Sequence, residues 1–292
     1  MRSRVAVIAG DGIGPEVVGR ALEECAVDLD LVWIDAGAER YLDTGVLLRD
    51  DDVRRVADCD ALLFGAVGDE RVPDGVLERG ILLRLRKELD LYVNLRPFPE
   101  IGVAIVRENT EGLYAGASER RGDLATEMSI NTRAGIERCA RYAFELAERR
   151  SKRLTWVHKT NVLVAAGSLW REVVTTIGAD HPAVELRYEH ADAAAYHIAT
   201  DPTTFDVLLT DNLFGDLLSD VAAACSGGLG RAASANLHPD KATRRHRCVG
   251  LFEPVHGSAP DIAGTGRADS TAARRALEMA LNELGQKVEV EA

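Results

Sequence analysis

The chain has 292 residues, with 35 Lys plus Arg against 47 Asp plus Glu, so the net charge is 35 − 47 = −12. Hydrophobic residues make up 46% and charged residues 28%, a globular composition that excludes disordered and fibrous chains. The acidic balance argues against a nucleic-acid binder, which needs a basic face for phosphate, and no apolar run reaches the ~18 residues that suggest a membrane span.

The N-terminal Met1-Arg2-Ser3-Arg4 leads into a strand-like run and not into a secretory segment. The five cysteines, Cys25, Cys59, Cys139, Cys225 and Cys248, are odd in number and lack C-x-x-C spacing. They read as reduced thiols of a cytoplasmic protein, not as disulfides or a zinc site.

In chain order, residues 5–9 (VAVIA) form a short apolar strand closed by Gly10. Pro15 suits the first turn of a helix, which Val17, Val18, Ala21 and Leu22 continue. Residues 31–34, 61–64, 103–106, 154–157 and 207–209 read as further strands. The clearest helical stripe is Ile136, Cys139, Ala140, Ala143, Phe144 and Ala147. Strands alternating with helices imply an α/β fold with a largely parallel sheet. The Pro-containing residues 96–100 are the candidate crossing between subdomains.

Four clusters could carry chemistry. Gly10-Asp11-Gly12-Ile13-Gly14-Pro15-Glu16 follows a strand and opens a helix, but Pro15 stands where a dinucleotide fingerprint needs its third glycine, so a tight strand-helix turn with a ligand role fits better than a Rossmann turn. Arg84 and Arg86, then Arg96, then Arg107 emerge from apolar segments and suit a substrate with two carboxylates, which guanidinium groups bind in bidentate fashion. Asp216 and Asp220, four apart after a strand, share one helix face and suit a hard divalent cation. The small-residue segment 253–264 (EPVHGSAPDIAG) suits a loop laid against a nucleotide. Lys159, just past a strand, suits a desolvated acid or base. Each pattern alone also fits a bland role: a surface salt bridge for any one arginine, a solvated acidic face for the aspartates, a plain turn for the loop, and an exposed strand end for the lysine.

Taken together, the ordered set GDGIGPE, NLRP, VRENTEGLY, HKTN, TDNLFGDLLSD and EPVHGSAPDIAG resembles the β-decarboxylating dehydrogenases, the family of isopropylmalate, isocitrate, homoisocitrate and tartrate dehydrogenases. Within it, residues 75–83 and 230–239 are most similar to the actinobacterial isopropylmalate branch. The resemblance implies a two-domain α/β fold with a largely parallel central sheet, not a Rossmann fold. The first, cofactor-side domain would comprise residues 1–92 and 227–292, and the second, substrate and dimerisation domain residues 93–226. It implies NAD and Mg²⁺ or Mn²⁺ as cofactors, a malate-type substrate, and a homodimer with shared active sites.

The resemblance also assigns roles. Arg86, Arg96 and Arg107 hold the malate carboxylates, with Leu82 and Leu83 beside the C3 substituent. Tyr114 protonates the enol carbon and Lys159 takes the C2 hydroxyl proton. Asn161 lies near the nicotinamide. Asp192, Asp216 and Asp220 ligate the metal, Lys159 and Asp192 coming from the second subunit. His256, Gly257, Ser258, Ala259, Asp261 and Ile262, with Asp269, form the adenosine side, Asp261 on the ribose.

The implied reaction is oxidative decarboxylation of a 3-substituted malate, first of all 3-isopropylmalate to 2-oxoisocaproate. The alternatives are another malate, with Arg84 as selector of an anionic substituent, or an inactive trimmed paralogue kept as a binding partner. Compared with the family, the connection between residues 96 and 103 and the stretch 116–125 are shortened, the C-terminus stops early, and residues 241–248 match no motif.

Overall fold

A computed structural model describes residues 2–286. The chain divides into two compact units, Met1–Leu91 with Gly227–Ala292, and Tyr92–Ser226.

The first unit opens with β1 (Arg4–Gly10), α1 (Gly14–Glu23), β2 (Asp30–Trp33), α2 (Ala38–Thr44), α3 (Asp50–Ala57) and β3 (Ala61–Ala66). A π-helix, Glu78–Leu83, then runs directly into α4 (Arg84–Glu88). The second unit holds β4 (Val93–Phe98), β5 (Val103–Glu108), the hairpin β6 (Ser118–Arg121) and β7 (Leu124–Glu127), α5 (Arg133–Arg149), β8 (Arg153–His158), α6 (Val164–Asp180), β9 (Glu185–His190), α7 (Ala191–Thr200), β10 (Val207–Thr210) and α8 (Asn212–Cys225). The chain returns to the first unit with β11 (Ala233–Leu237), β12 (Gly250–Pro254) and α9 (Thr271–Glu283).

In the first unit the strand order is β2-β1-β3-β12-β11, parallel except for the antiparallel β11–β12 pair. In the second it is β4-β5-β10-β8-β9, parallel except for β4–β5. Strands buried on both faces read as continuous apolar runs, which is why residues 5–9 and 61–64 were legible as strands. Helices α1 and α9 pack on β3. The stripe of α5, from Ile136 to Ala147, is wholly buried. Thr132 caps that helix, accepting from the Gly135 N–H. The α/β class with largely parallel strands is the one the alternation of elements implies.

Local readings need correcting at three places. Residues 96–100 are not a crossing. Arg96 to Phe98 end β4, and a 3₁₀ turn, Pro99–Ile101, folds the chain back into antiparallel β5. The shortened connection is therefore a tight hairpin. Glu253 and Pro254 lie in a buried strand, not in a loop. Residues 78–83 wind as a π-helix and not as part of one continuous α-helix, and only the steps from Leu83 into α4 keep α-helical geometry towards Arg86. Among the described residues, no helix is long and apolar enough to cross a membrane.

Candidate active site

In the first unit, Arg86 projects from α4 and is buried. Its Nη2 donates to Glu253 Oε1 at 2.9 Å, while its Nε is buried without a hydrogen-bond partner. Arg84, two residues earlier, faces elsewhere: it bonds Glu88 Oε1 at 2.6 Å, the Leu48 carbonyl at 2.6 Å, and Asp50. Leu82 is half-buried and packs against the first unit's apolar core, which includes Val72, Leu77 and Leu85. Leu83 is half-buried at the end of the π-helix.

The segment after β12 has no regular structure, and its seat is the first glycine cluster. Ser258 O accepts from the Ile13 N–H at 2.8 Å. A Cβ on Gly12, whose φ is +58°, would stand 2.0 Å from that oxygen, so only glycine lets the two loops meet. Asp11 secures the cluster from beneath, accepting from the N–H groups of Ala38 (2.7 Å) and Gly68 (3.1 Å). Burial raises its pKa above the usual carboxylate value. His256 Nδ1 lies 3.0 Å from Gly257 O, and its Nε2 is buried without a partner. Asp261 is exposed, and Gly257, Ala259 and Ile262 lie beside it in the loop. Asp269 has a local role: it accepts from the Thr271 N–H at 2.9 Å, at the start of α9.

The second unit gathers a denser set. Arg107 is almost wholly buried, and its Nη1 donates to Asp216 Oδ1 at 2.5 Å. Its Nε and Nη2 donate to Asn212 Oδ1 at 3.0 and 2.6 Å. Arg96, also buried, donates to Asn94 Oδ1, Ser219 Oγ and Asp216 Oδ1 at 2.8, 2.6 and 3.2 Å. Tyr114 donates to Asp216 Oδ2 at 2.7 Å, with the Arg107 guanidinium 5.2 Å from its ring centre. Burial, and after it the Asp216 hydrogen bond, push the Tyr114 phenol above its ordinary pKa. Asp220, one helical turn past Asp216, is raised by burial and by Asp216 itself.

The order of these groups along α8 follows from its cap. Asp211 Oδ1 accepts from the Phe214 N–H at 2.8 Å, fixing where the helix begins. Its other oxygen lies 3.9 Å from Nε2 of His158, a fully buried histidine whose ring nitrogens have no hydrogen-bond partner. Burial raises Asp211 to about 6 and lowers His158 to about 4. Lys159, next to His158, donates to Asp192 Oδ1 at 2.5 Å, and the pairing lowers Asp192. Asn161 is exposed, followed by exposed Val162, Leu163 and Val164.

One unit thus brings together Arg96, Arg107, Tyr114, Asp216 and Asp220 by direct bonds or one helical turn, and pairs Lys159 with Asp192. Among the described residues, no group of three or more His, Cys, Asp or Glu side chains is placed to hold a metal. Sequence reasoning had no role for Asn212, Ser219, Asn94 or Glu253, the side chains that orient the arginines. All four lie inside motifs whose other residues were given roles.

The chain matches the family model described as isocitrate/isopropylmalate dehydrogenase over residues 4–292. The chain belongs to this family. It is 50% identical to the 3-isopropylmalate dehydrogenase of Nocardia farcinica, covering 97% of this chain and 89% of that protein. The 3-isopropylmalate dehydrogenase of Corynebacterium jeikeium is 48% identical over 99% of this chain and 90% of its own. Among solved structures, isocitrate dehydrogenase from Methylococcus capsulatus is similar with a TM-score of 0.88 and 36% identity, covering 97% of this chain and 86% of that one. A β-decarboxylating dehydrogenase from Thermococcus kodakarensis matches with a TM-score of 0.80 and 39% identity, over 97% and 84%. The isocitrate/isopropylmalate dehydrogenase family is one of oxidoreductases, and this member is a dehydrogenase acting on a malate-type substrate by oxidative decarboxylation.

Proposed function

We propose that the chain is an NAD-dependent, divalent-metal-dependent dehydrogenase that converts 3-isopropylmalate to 2-oxoisocaproate, a leucine-type biosynthetic step. The observation that carries the reading is the convergence on Asp216. One carboxylate there holds a phenol and two buried arginines, while a second carboxylate, Asp220, follows four residues on.

The donor chemistry fits the implied groups. Asp216 and Asp220 offer hard carboxylate oxygens on one helix face; burial first and Asp216 second raise Asp220, and a bound cation would offset both. Asp192 would be the third ligand, brought by the partner subunit. For the nucleotide, the unpartnered His256 Nε2 and the exposed Asp261 lie on the loop seated on Gly12, with Asp261 to accept from a ribose hydroxyl. Held by these residues, the metal would supply a Lewis acid for the C2 oxygen and the enolate, and the nicotinamide would supply the hydride acceptor.

The residues of the chain do the rest. Arg86, Arg96 and Arg107 bind the carboxylates and hold the substrate in register. Lys159 accepts the C2 hydroxyl proton as hydride leaves. The carboxylate on C3 departs as CO₂, its bonding electrons forming the enol. Tyr114 then delivers its phenolic proton to C3. The raised phenol pKa keeps that proton in place until it is needed.

An apolar C3 substituent is favoured because Arg84 is tied down by Glu88, Asp50 and the Leu48 carbonyl. It is thereby spent as a selector for an anionic group. A homodimer is supported by the second unit's exposed apolar residues, Val162, Leu163, Val164, Tyr196 and Leu217, which a partner would cover. The unpaired state of all five cysteines accords with a cytoplasmic setting. The test is NADH formation by purified protein with 3-isopropylmalate, NAD and Mn²⁺. Activity abolished by chelator and restored by Mn²⁺ is expected; no NADH under these conditions would refute the reading.

A further inference from the structure

We propose that Glu253 is a positioning residue that aims the Arg86 guanidinium at a substrate carboxylate. The inference rests on the reading of Arg86 as a substrate-binding residue and extends it to a side chain with no assigned role.

Glu253 is buried in β12, where an unpaired carboxylate would be costly. Three donors meet it on Oε1: Arg86 Nη2 at 2.9 Å, Asn236 Nδ2 at 2.9 Å and Ser234 Oγ at 3.4 Å. The register explains the convergence. Ser234 stands directly opposite Glu253 in the antiparallel β11–β12 pair, and Asn236 is two residues further along the same strand. All three side chains therefore rise from the same face of the sheet, because alternate residues of a strand share a face. Asn236 is fixed in turn by a second bond from its Nδ2 to Leu251 O at 3.1 Å. The carboxylate is thus immobilised from the sheet, and it grips one end of the guanidinium.

The edge that Glu253 grips is only half used. Arg86 Nε, which shares that edge with Nη2, is buried and has no hydrogen-bond partner. A structural salt bridge that served only the core would be expected to fill the edge in bidentate fashion, since an orphaned buried N–H is itself costly. A guanidinium gripped at one atom of that edge has its plane settled before a ligand arrives, so that its remaining N–H groups are already aimed when a carboxylate binds. Glu253 also begins the stretch that continues into His256 and Ser258, so the same strand that orients Arg86 leads into the nucleotide loop.

The experiment compares wild type, Glu253→Gln, Glu253→Asp, Arg86→Lys and the double variant Glu253→Gln/Arg86→Lys. It reads KM for 3-isopropylmalate, kcat, KM for NAD and the thermal midpoint. Calorimetric binding of 3-isopropylmalate to the same proteins, without NAD, is read in parallel. Glu253→Gln should raise KM and weaken calorimetric binding at least about tenfold, the effect of roughly one well-made charge-assisted bond. KM for NAD should stay within about twofold. In the Arg86→Lys background, which has no fork to orient, Glu253→Gln should add little. Glu253→Asp, which keeps the charge, should recover part of the loss. If Glu253→Gln lowers the thermal midpoint, the double-variant comparison decides: full additivity with Arg86→Lys means a structural role only and overturns the proposal, as does unchanged substrate affinity. If the wild type binds 3-isopropylmalate without making NADH, the reaction reading fails while the binding comparison still judges Glu253. Absence of any binding to the wild type overturns the proposal.

Discussion

The Tyr114 hydroxyl donates to Asp216 Oδ2 at 2.7 Å. The bond joins the proposed proton donor for carbon to the first carboxylate of the α8 pair, and burial keeps the phenol protonated. Tyr114→Phe removes only the proton and this bond. Turnover should fall about 100-fold or more, the usual contribution of a general acid. Oxidation or decarboxylation of a supplied keto-acid intermediate should survive in part. Lys159→Met should instead abolish NADH formation, because it removes the group that accepts the hydroxyl proton. Single-turnover absorbance separates the two; near wild-type NAD reduction by Lys159→Met would contradict the assignment.

Asp216→Asn and Asp220→Asn should each weaken Mn²⁺ binding, since each replaces a charged oxygen ligand by a neutral one. The two should differ in one respect. Asp216 also neutralises Arg96 and Arg107, so its loss should disturb substrate affinity as well, whereas Asp220→Asn should act chiefly through the metal. Metal titration followed by paramagnetic resonance, alongside KM for the malate, checks both.

How much of this was legible in the sequence depends on the range of the interaction. The buried runs at 5–9 and 61–64 and the stripe of α5 could be read because they are periodic and local. The GDGIGPE turn, with Pro15 at the critical position, weighed against a Rossmann fold, in agreement with the family resemblance. Glu253 and Arg86 are separated by 167 positions, and nothing local says that one orients the other. Asn212, clamped between Arg107 and the Glu111 carbonyl at 2.8 Å, was hidden for the same reason. The π-helix at 78–83 was invisible because an apolar pattern of this length does not distinguish i+4 from i+5 winding.

The consequence is a sharper expectation for the pocket. Leu82→Ala should cost stability, about 2 kcal/mol for a partly buried leucine, because Leu82 packs on the first unit's core. Leu83→Ala should leave stability closer to wild type and narrow the preference for an isopropyl over a smaller C3 group, by about 1–3 kcal/mol in kcat/KM ratio. Equal loss of selectivity in both variants, at unchanged melting temperature, would argue that both leucines face the substrate.

The Asp211–His158 pair makes a pH prediction. Asp211 has its folded pKa raised from 3.8 to about 6, so its contribution to stability is full below about 3.8 and is lost as pH rises through about 6. His158 is lowered from 6.5 to about 4, so its contribution is full above about 6.5 and is lost as pH falls through about 4. The two slopes oppose each other between pH 4 and 6 and largely cancel. Asp211→Asn keeps an oxygen to cap α8 but removes the carboxyl proton, so its stability relative to wild type should climb with pH across that window by an amount on the order of 2–3 kcal/mol. Urea unfolding of both proteins at intervals from pH 4 to 7 tests this, and a difference that does not change with pH would contradict it.

The reading of this enzyme stands most directly on its substrate. With Mn²⁺ and NAD fixed, kcat/KM should be measured for 3-isopropylmalate, isocitrate, homoisocitrate and tartrate under one set of conditions. The account predicts that 3-isopropylmalate gives the highest value, because Arg84 is bound to Glu88, Asp50 and the Leu48 carbonyl and would have to give up those bonds to receive a third carboxylate. A higher kcat/KM for isocitrate or homoisocitrate would contradict it.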